Sequence, residues 1–142
     1  SQYEGYLQEQ EAAQRDVLVA FIANTFVGYL TICWSSDYPS FREAQIPEIV
    51  DFNVLPVFRR KGIGTRLMDT AEGRVAQVSP VVGIGVGMTA DYGSAQRLYI
   101  RRGYLPDGRG LMKAGQPVQY GELVVVNDAL CLYFTKQFSG SV

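Results

Sequence analysis

Residues 51 to 64 read Asp-Phe-Asn-Val-Leu-Pro-Val-Phe-Arg-Arg-Lys-Gly-Ile-Gly. This is a strand-like run that stops at Pro56 and passes through a basic, glycine-spaced loop into a helical pattern. Gly62 and Gly64 carry no side chain, so an oxyanion can come close to the main chain. The unpaired N–H groups of the first helical turn and the positive helix end point towards it, and Arg59, Arg60 and Lys61 add charge. The loop is therefore an anion cradle. It is neither the G-x-x-x-x-G-K-[ST] triphosphate loop nor the G-x-G-x-x-G dinucleotide fingerprint. Its pattern is R-x-x-G-x-G, which by itself also fits a capped helix with a solvated basic end.

The chain has no histidine. That excludes Ser-His-Asp and Cys-His nucleophilic systems and every His-based zinc or iron site. Proton transfer falls to Asp, Glu, Tyr, Cys, Lys or water. Cys33 and Cys131 stand far apart without metal-like spacing, so they read as two buried reduced thiols rather than a disulfide, a nucleophile or ligands, and no metal is expected. A net charge of −1 gives no general attraction to nucleic acid or to a membrane. With no signal peptide or membrane-length apolar run, the expected location is the cytoplasm.

The cradle pattern, with Arg59, Gly62 and Gly64 in place, resembles the acetyl-CoA loop [QR]-x-x-G-x-[GA] of the GCN5-related N-acetyltransferases (GNAT). A second signature of that family, N-x-x-A-x-x-L-Y-x-x-x-G-[FY], is matched by Ala95, Leu98, Tyr99, Gly103 and Tyr104. Both motifs occur in the family's order with a helix and a strand between them. Tyr92 stands where the family often has a cofactor-contacting Asn. The resemblance extends from about Val17 to Phe138.

At 142 residues with 47% hydrophobic and 12% aromatic content, residues 1–142 read as one domain with a real core. Tyr3 to about Ala13 has helical composition. Val17–Ala23 and Phe26–Trp34 are strand-like about a turn at Asn24-Thr25. Ser35–Pro47 reads as a loop and Glu48–Leu55 as a strand. Ile63, Leu67, Ala71 and Val75, with Met68 and Val78 beside them, form a helical face. Val81–Met88 is a strand whose Gly83, Gly85 and Gly87 either let something lie close to its backbone or mark a twisted, bulged strand. Ala90–Arg102 is a helix stopped by Gly103, Leu105–Tyr120 a Gly/Pro-rich loop, and Ala129–Phe138 a final strand. The order implies an α/β (α+β mixed) fold: a mixed twisted sheet with helices on both faces, its central strands 48–55 and 81–88 parallel. The GNAT resemblance implies that N-terminal elements are missing or short.

The same resemblance assigns chemistry. The backbone of Arg60, Lys61, Gly62, Ile63, Gly64 and Thr65 would hold the pyrophosphate of acetyl-CoA, with Tyr92 as a further cofactor contact. The pantetheine arm would pair with Phe52, Asn53 and Val54, and the Val54 N–H would face the thioester oxygen. Tyr99 is the candidate acid beside the sulfur, or else a core aromatic. Glu48, six residues before Val54, is the candidate base, or else an ordinary cleft carboxylate. On an unbroken strand the two would share a face roughly 20 Å apart, so water would relay the proton unless the strand bulges. Asp51 and Asp91 are rivals. Arg97, Arg101 and Arg102 read as a solvated face more readily than as a 3′-phosphate contact. Trp34, Tyr38 and Phe41 either line an acceptor pocket or close the core. The implied activity is acetyl transfer from acetyl-CoA to a primary amine of a small molecule or peptide. The alternative is a non-catalytic acyl-CoA-binding module. Asp37, Glu43, Glu48 and Asp51 would suit a cationic acceptor, and an exposed terminal strand could pair across a homodimer.

Overall fold

The computed structural model describes residues 14–138; the helix expected over Tyr3–Ala13 lies outside them. Strands β1 (Arg15–Ile22) and β2 (Thr25–Cys33) form the first hairpin. Its turn falls on Ala23 and Asn24, both at positive φ (47° and 69°), the two-residue geometry whose twist suits the flanking strands. The segment expected to be a loop from Ser35 to Pro47 contains a short helix, α1 (Pro39–Glu43). Pro39 sits in its first turn, where the missing N–H has no helical partner to lose. The chain continues through β3 (Glu48–Val54), α2 (Ile63–Ala76), β4 (Val81–Gly87), α3 (Gly93–Arg101), β5 (Leu105–Lys113), β6 (Gln116–Pro117) and β7 (Leu130–Gln137). Before α3, residues Ala90–Tyr92 form a separate 3-10 turn, so that helix starts later than its sequence pattern suggests.

The seven strands form a sheet in the order β1-β2-β3-β4-β7-β5-β6. As expected, β3 and β4 run parallel, joined through α2; the other neighbours are antiparallel. Ile63, Leu67, Met68, Ala71 and Val75 of α2 are buried against Leu30, Ile32, Ile49, Val82, Ile84 and Val86 of the sheet. Val78 lies beyond the end of α2 and is 72% exposed. Tyr99 of α3 joins the same core. The other face carries α1 and a second cluster of Tyr38, Phe41 and Met112.

Two expectations at the C-terminal end are corrected. Residues 105–120 are not a loop but hold β5 and β6. Leu105 and Pro106 face Thr135 and Phe134 of β7, and the register then slips before Leu111 faces Leu132. Gly108 and Gly110, at φ of 83° and 79°, lie in that irregular stretch, and with Pro106 they hide the strand from a composition-based reading. The terminal strand β7, in turn, is paired with β4 on one side and β5 on the other. It is interior, so this last strand offers no free edge, and the sheet edges among the described residues are β1 and β6.

The alternate glycines of β4 receive aromatic rings. A Cβ on Gly83 would sit 2.2 Å from the Phe41 ring, on Gly85 2.7 Å from Tyr133 and on Gly87 2.4 Å from Tyr92. What lies close to that backbone is the chain's own aromatic layer. Of the three helix arginines, Arg97 and Arg101 are exposed as expected, whereas Arg102 is bound to Glu72 and Asp69 (3.0 and 2.8 Å). No helix among the described residues is long and apolar enough to cross a membrane, which leaves β-barrels aside.

Candidate active site

β3 and β4 are paired only through Glu48 with Gly83 and Ile49 with Ile84. Beyond Ile49 they part, while β3 stays on β2 as far as Val54. The second half of β3 therefore presents one edge to a gap. Asn53 is paired with Tyr29, and the Leu55 N–H donates to the Val27 carbonyl at 2.9 Å. Main-chain groups alternate along an antiparallel ladder, so those of Val54 point away from β2, into the gap. There the Val54 carbonyl accepts a bond from Arg59 Nε at 2.9 Å, and the Val54 N–H lies on the same edge.

The strand is not regular. Asp51 has φ of 54°, and Phe52 and Asp51 together oppose the single residue Leu30 between the Tyr29–Asn53 and Thr31–Val50 pairs. This is a β-bulge, and its extra residue reverses the alternation of side chains. Ile49, Phe52 and Val54 face the α2 core, whereas Glu48 and Val50 line a cavity on the other side. The side chains of Glu48 and Val54 thus lie on opposite faces, contrary to the reading of an unbroken strand.

The cradle follows directly. Gly62 begins α2 at φ 80°, a left-handed conformation, and a Cβ there would meet nothing within 4 Å. A Cβ on Gly64 would lie 3.0 Å from Cζ of Phe52. No side chain caps the helix and no acidic residue stands in its first turn, so its leading N–H groups are left for an anion. Arg60 adopts φ of 65° and is exposed together with Arg59 and Lys61.

Glu48 is buried (7% exposed) in the wall of a cavity of ≈ 350 Å³ shared with Arg15, Cys33, Asp37, Tyr38, Asp128, Cys131 and Tyr133. Ser36 Oγ donates to its Oε1 at 2.5 Å. Burial raises the Glu48 pKa against the opposing effect of that hydrogen bond, making the carboxylate a stronger base than an exposed one. A second cavity of ≈ 370 Å³, between β1 and α2, is lined by Lys61, Arg66, Thr70, Arg74 and apolar residues, with no carboxylate among them. Of the two, only the first is lined by carboxylates that can take up a proton. Tyr99 is 4% exposed, 6.5 Å from Phe52 and 5.8 Å from Tyr104 between ring centres. Its hydroxyl makes no hydrogen bond among the described residues, and burial holds its pKa well above the ordinary phenol value.

A gap between parallel strands, a capless glycine cradle at the next helix and a buried carboxylate at the apex of the gap are the geometry on which comparison with known proteins bears. The family model of the acetyltransferase (GNAT) family matches residues 1–104. The chain belongs to that family. No protein of curated function matches it in sequence. Among solved structures, ribosomal-protein-alanine N-acetyltransferase from Brucella melitensis matches at TM-score 0.65 and 20% identity, over 96% of this chain and 77% of that one. A GNAT family acetyltransferase from Elizabethkingia anophelis with acetyl-CoA bound matches at TM-score 0.65 and 18% identity, over 93% and 82%. Nourseothricin acetyltransferase matches at 0.63 and 20%, over 87% and 65%. The chain spans 63% of the length of PH1933 from Pyrococcus horikoshii. At these identities the likeness is one of fold.

In this GNAT chain the first motif forms the cradle and the second lies on α3 and the turn after it. Tyr104 is fully buried with its hydroxyl on Glu72 (2.8 Å), and Gly103 ends the helix at φ 96°. Tyr92 packs on Gly87, and its hydroxyl donates to Asp128 Oδ1 at 2.8 Å, which together with burial pushes its pKa up to about 12. Of the aromatic residues read as bordering an acceptor, Tyr38 lines the cavity, whereas Phe41 fills the space over Gly83 and Trp34 packs on the main core. Of the acidic residues, Asp37 and Glu48 reach it and Glu43 and Asp51 do not. Asp51 is exposed at the bulge, 3.8 Å from Arg15, and Asp91 accepts from Thr89 at the surface. Cys33 is buried, Cys131 is half-buried, and both are free. Ser36 and Asp128 were missed by sequence reasoning. Both sit in irregular segments where neither periodicity nor motif marks them.

Proposed function

We propose that this chain acetylates a primary amine of a small molecule or peptide with acetyl-CoA, by direct transfer with both substrates bound and with residues 1–142 forming one catalytic domain. The observation that carries the reading is the β3/β4 gap, which has the Gly62–Gly64 cradle beside it and Glu48 at its apex. The N–H groups from Arg60 to Thr65 would hold the pyrophosphate, with Arg59 to Lys61 around it. The gap-facing main chain of Phe52 and Val54 would align the pantetheine arm, with Asn53 between them and Tyr92 in the turn before α3. Acetyl-CoA supplies the acyl group as a thioester, and CoA leaves as the free thiol.

The remaining steps belong to the chain's own groups. The Val54 N–H donates to the carbonyl oxygen as charge develops there, a contribution of roughly 3 kcal/mol for one such donor. Glu48 accepts the ammonium proton, directly or through water. Tyr99 gives its hydroxyl hydrogen to the departing sulfur, and burial keeps it protonated until then. Three carboxylates (Asp37, Glu48, Asp128) against one guanidinium (Arg15) on the cavity wall suit a cationic acceptor. A screen of polyamines, aminoglycosides, amino acids and peptide N-termini that follows free CoA thiol tests the reading.

Acetyl-CoA is expected to raise the melting temperature by mass action. Gly62→Asp and Gly64→Asp should abolish that shift, because each places a side chain and a like charge in the cradle. The first also strains a left-handed position and the second crowds Phe52. An undiminished shift in a folded Gly62→Asp protein would remove the cradle assignment. Tyr99→Phe keeps the ring and deletes the donor, so kcat should fall about 10²-fold with little change in acetyl-CoA affinity. Wild-type turnover would return Tyr99 to the core it shares with Phe52 and Tyr104.

A further inference from the structure

Ser36 is 1% exposed and lies where two hydrogen bonds meet. The Tyr38 N–H donates to its Oγ at 2.9 Å, and Oγ stands 2.5 Å from Glu48 Oε1. A main-chain N–H can only donate. The Ser36 oxygen is thus already an acceptor towards Tyr38, and its single hydrogen is directed at Glu48. While the carboxyl is charged, as it must be before it takes up a proton, Oε1 can only accept, and it accepts from Ser36. No buried side-chain oxygen among the described residues is both sealed and without a partner, and Oε2 makes no hydrogen bond among them. We infer that Ser36 is the positioning residue of the base: it occupies Oε1 so that the proton taken from the acceptor ammonium goes to Oε2, on the cavity side.

This inference rests on the reading of Glu48 as base. The step balances simply, as an N–H bond of the ammonium breaks and an O–H bond at Oε2 forms, directly or through one water, and the amine keeps the electron pair with which it attacks. The same hydrogen bond favours the charged carboxylate and so offsets part of the effect of burial. The charged and titratable groups around Glu48 are Arg15 from β1, Cys33 from β2, Asp37 from the following segment, Asp51 from β3, and Cys131 and Tyr133 from β7. Of these, Arg15 lowers the Glu48 pKa while Asp37 and Asp51 raise it. None of them makes a hydrogen bond to the carboxylate, so among the described residues Ser36 alone fixes its orientation.

The test is a carboxyl titration read by NMR in protein labelled with 13C-glutamate, the Glu48 resonance being the one lost in Glu48→Gln. Ser36→Ala should move the Glu48 midpoint upward by about one pH unit, as expected for one hydrogen bond to a charged group. The acid limb of kcat/KM should move with it. Ser36→Ala also leaves the Tyr38 N–H without its acceptor, so the isosteric Ser36→Cys, with a weaker donor, is measured alongside and should give a smaller shift in the same direction. Retention of the acetyl-CoA melting shift reports that each variant is folded. An unmoved Glu48 midpoint in both folded variants overturns the inference. So does a moved midpoint with an unmoved acid limb. Failure of the base assignment itself shows separately, as an acid limb that survives Glu48→Gln.

Discussion

Glu48→Gln is expected to lower kcat/KM for the acceptor amine about 10- to 10³-fold at neutral pH. The substitution is conservative in shape, because the amide oxygen can still accept the hydrogen bond from Ser36, while the amide nitrogen cannot take up a proton. Burial raises the Glu48 pKa above the ordinary carboxylate value, so the wild-type rate should climb with pH through that raised value as the base ionises. The variant should lack this limb and recover part of its rate at high pH, where the free amine is already populated. Acetyl-CoA binding should be unchanged, since the cradle lies across the sheet from the carboxylate. Wild-type turnover by the variant at neutral pH would move the base to Asp37 or Asp128, which share the cavity wall. Acetyl-CoA binding by the wild-type protein with no turnover of any amine would instead favour a non-catalytic acyl-CoA-binding module.

Much of this site was legible because it is encoded locally. Gly62 and Gly64 are required by a left-handed helix start and by contact with Phe52, and a motif records such backbone requirements directly. The inward face of α2 was equally plain, since Ile63, Leu67, Ala71 and Val75 repeat at the period of the helix. The bulge at Asp51 was not visible, because nothing in an aspartate announces φ of 54°. That one residue decides which face Glu48 occupies, so the cavity could not be placed from the strand pattern. The strand β5 was hidden for a related reason: its glycines serve an irregular register with β7, and composition alone reads them as loop.

Non-local partners were the other loss. Arg102 reads as one of three solvated arginines, yet its guanidinium bonds Glu72 from thirty residues earlier in the chain. The aromatic layer on β4 is similar. Gly83, Gly85 and Gly87 announce that something approaches, but Phe41, Tyr133 and Tyr92 come from three different elements. Periodicity did carry one unread clue. Glu72 stands four residues after Met68, on the buried side of α2, where a carboxylate needs partners.

Glu72→Ala is expected to lower the unfolding free energy by about 3 kcal/mol at neutral pH, the range for breaking a buried ion pair from one side. Glu72 is 7% exposed. It accepts from Lys136 Nζ at 2.7 Å, Tyr104 Oη at 2.8 Å and Arg102 Nε at 3.0 Å. It therefore ties α2 to the end of α3, the start of β5 and the strand β7. Removing it leaves the Arg102 guanidinium with Asp69 only, and an ammonium and a buried phenol without their acceptor. Burial alone would raise the Glu72 pKa, but the bonds from Arg102, Lys136 and Tyr104 outweigh it and hold the value below normal. The unfolded chain then binds this proton at a higher pH than the native one does. The carboxylate's stabilising effect is accordingly complete above the unfolded value and is lost as pH falls through the depressed native value. Urea unfolding of wild type and Glu72→Ala at neutral pH and again in acid checks both parts. The gap in midpoint should be large at pH 7 and narrow in acid, where the wild-type carboxyl is protonated too. Equal midpoints at pH 7 would show that the cluster fixes the packing of α2 without adding to stability, and a gap that stays constant into acid would assign the loss to the missing side-chain volume rather than to its charge.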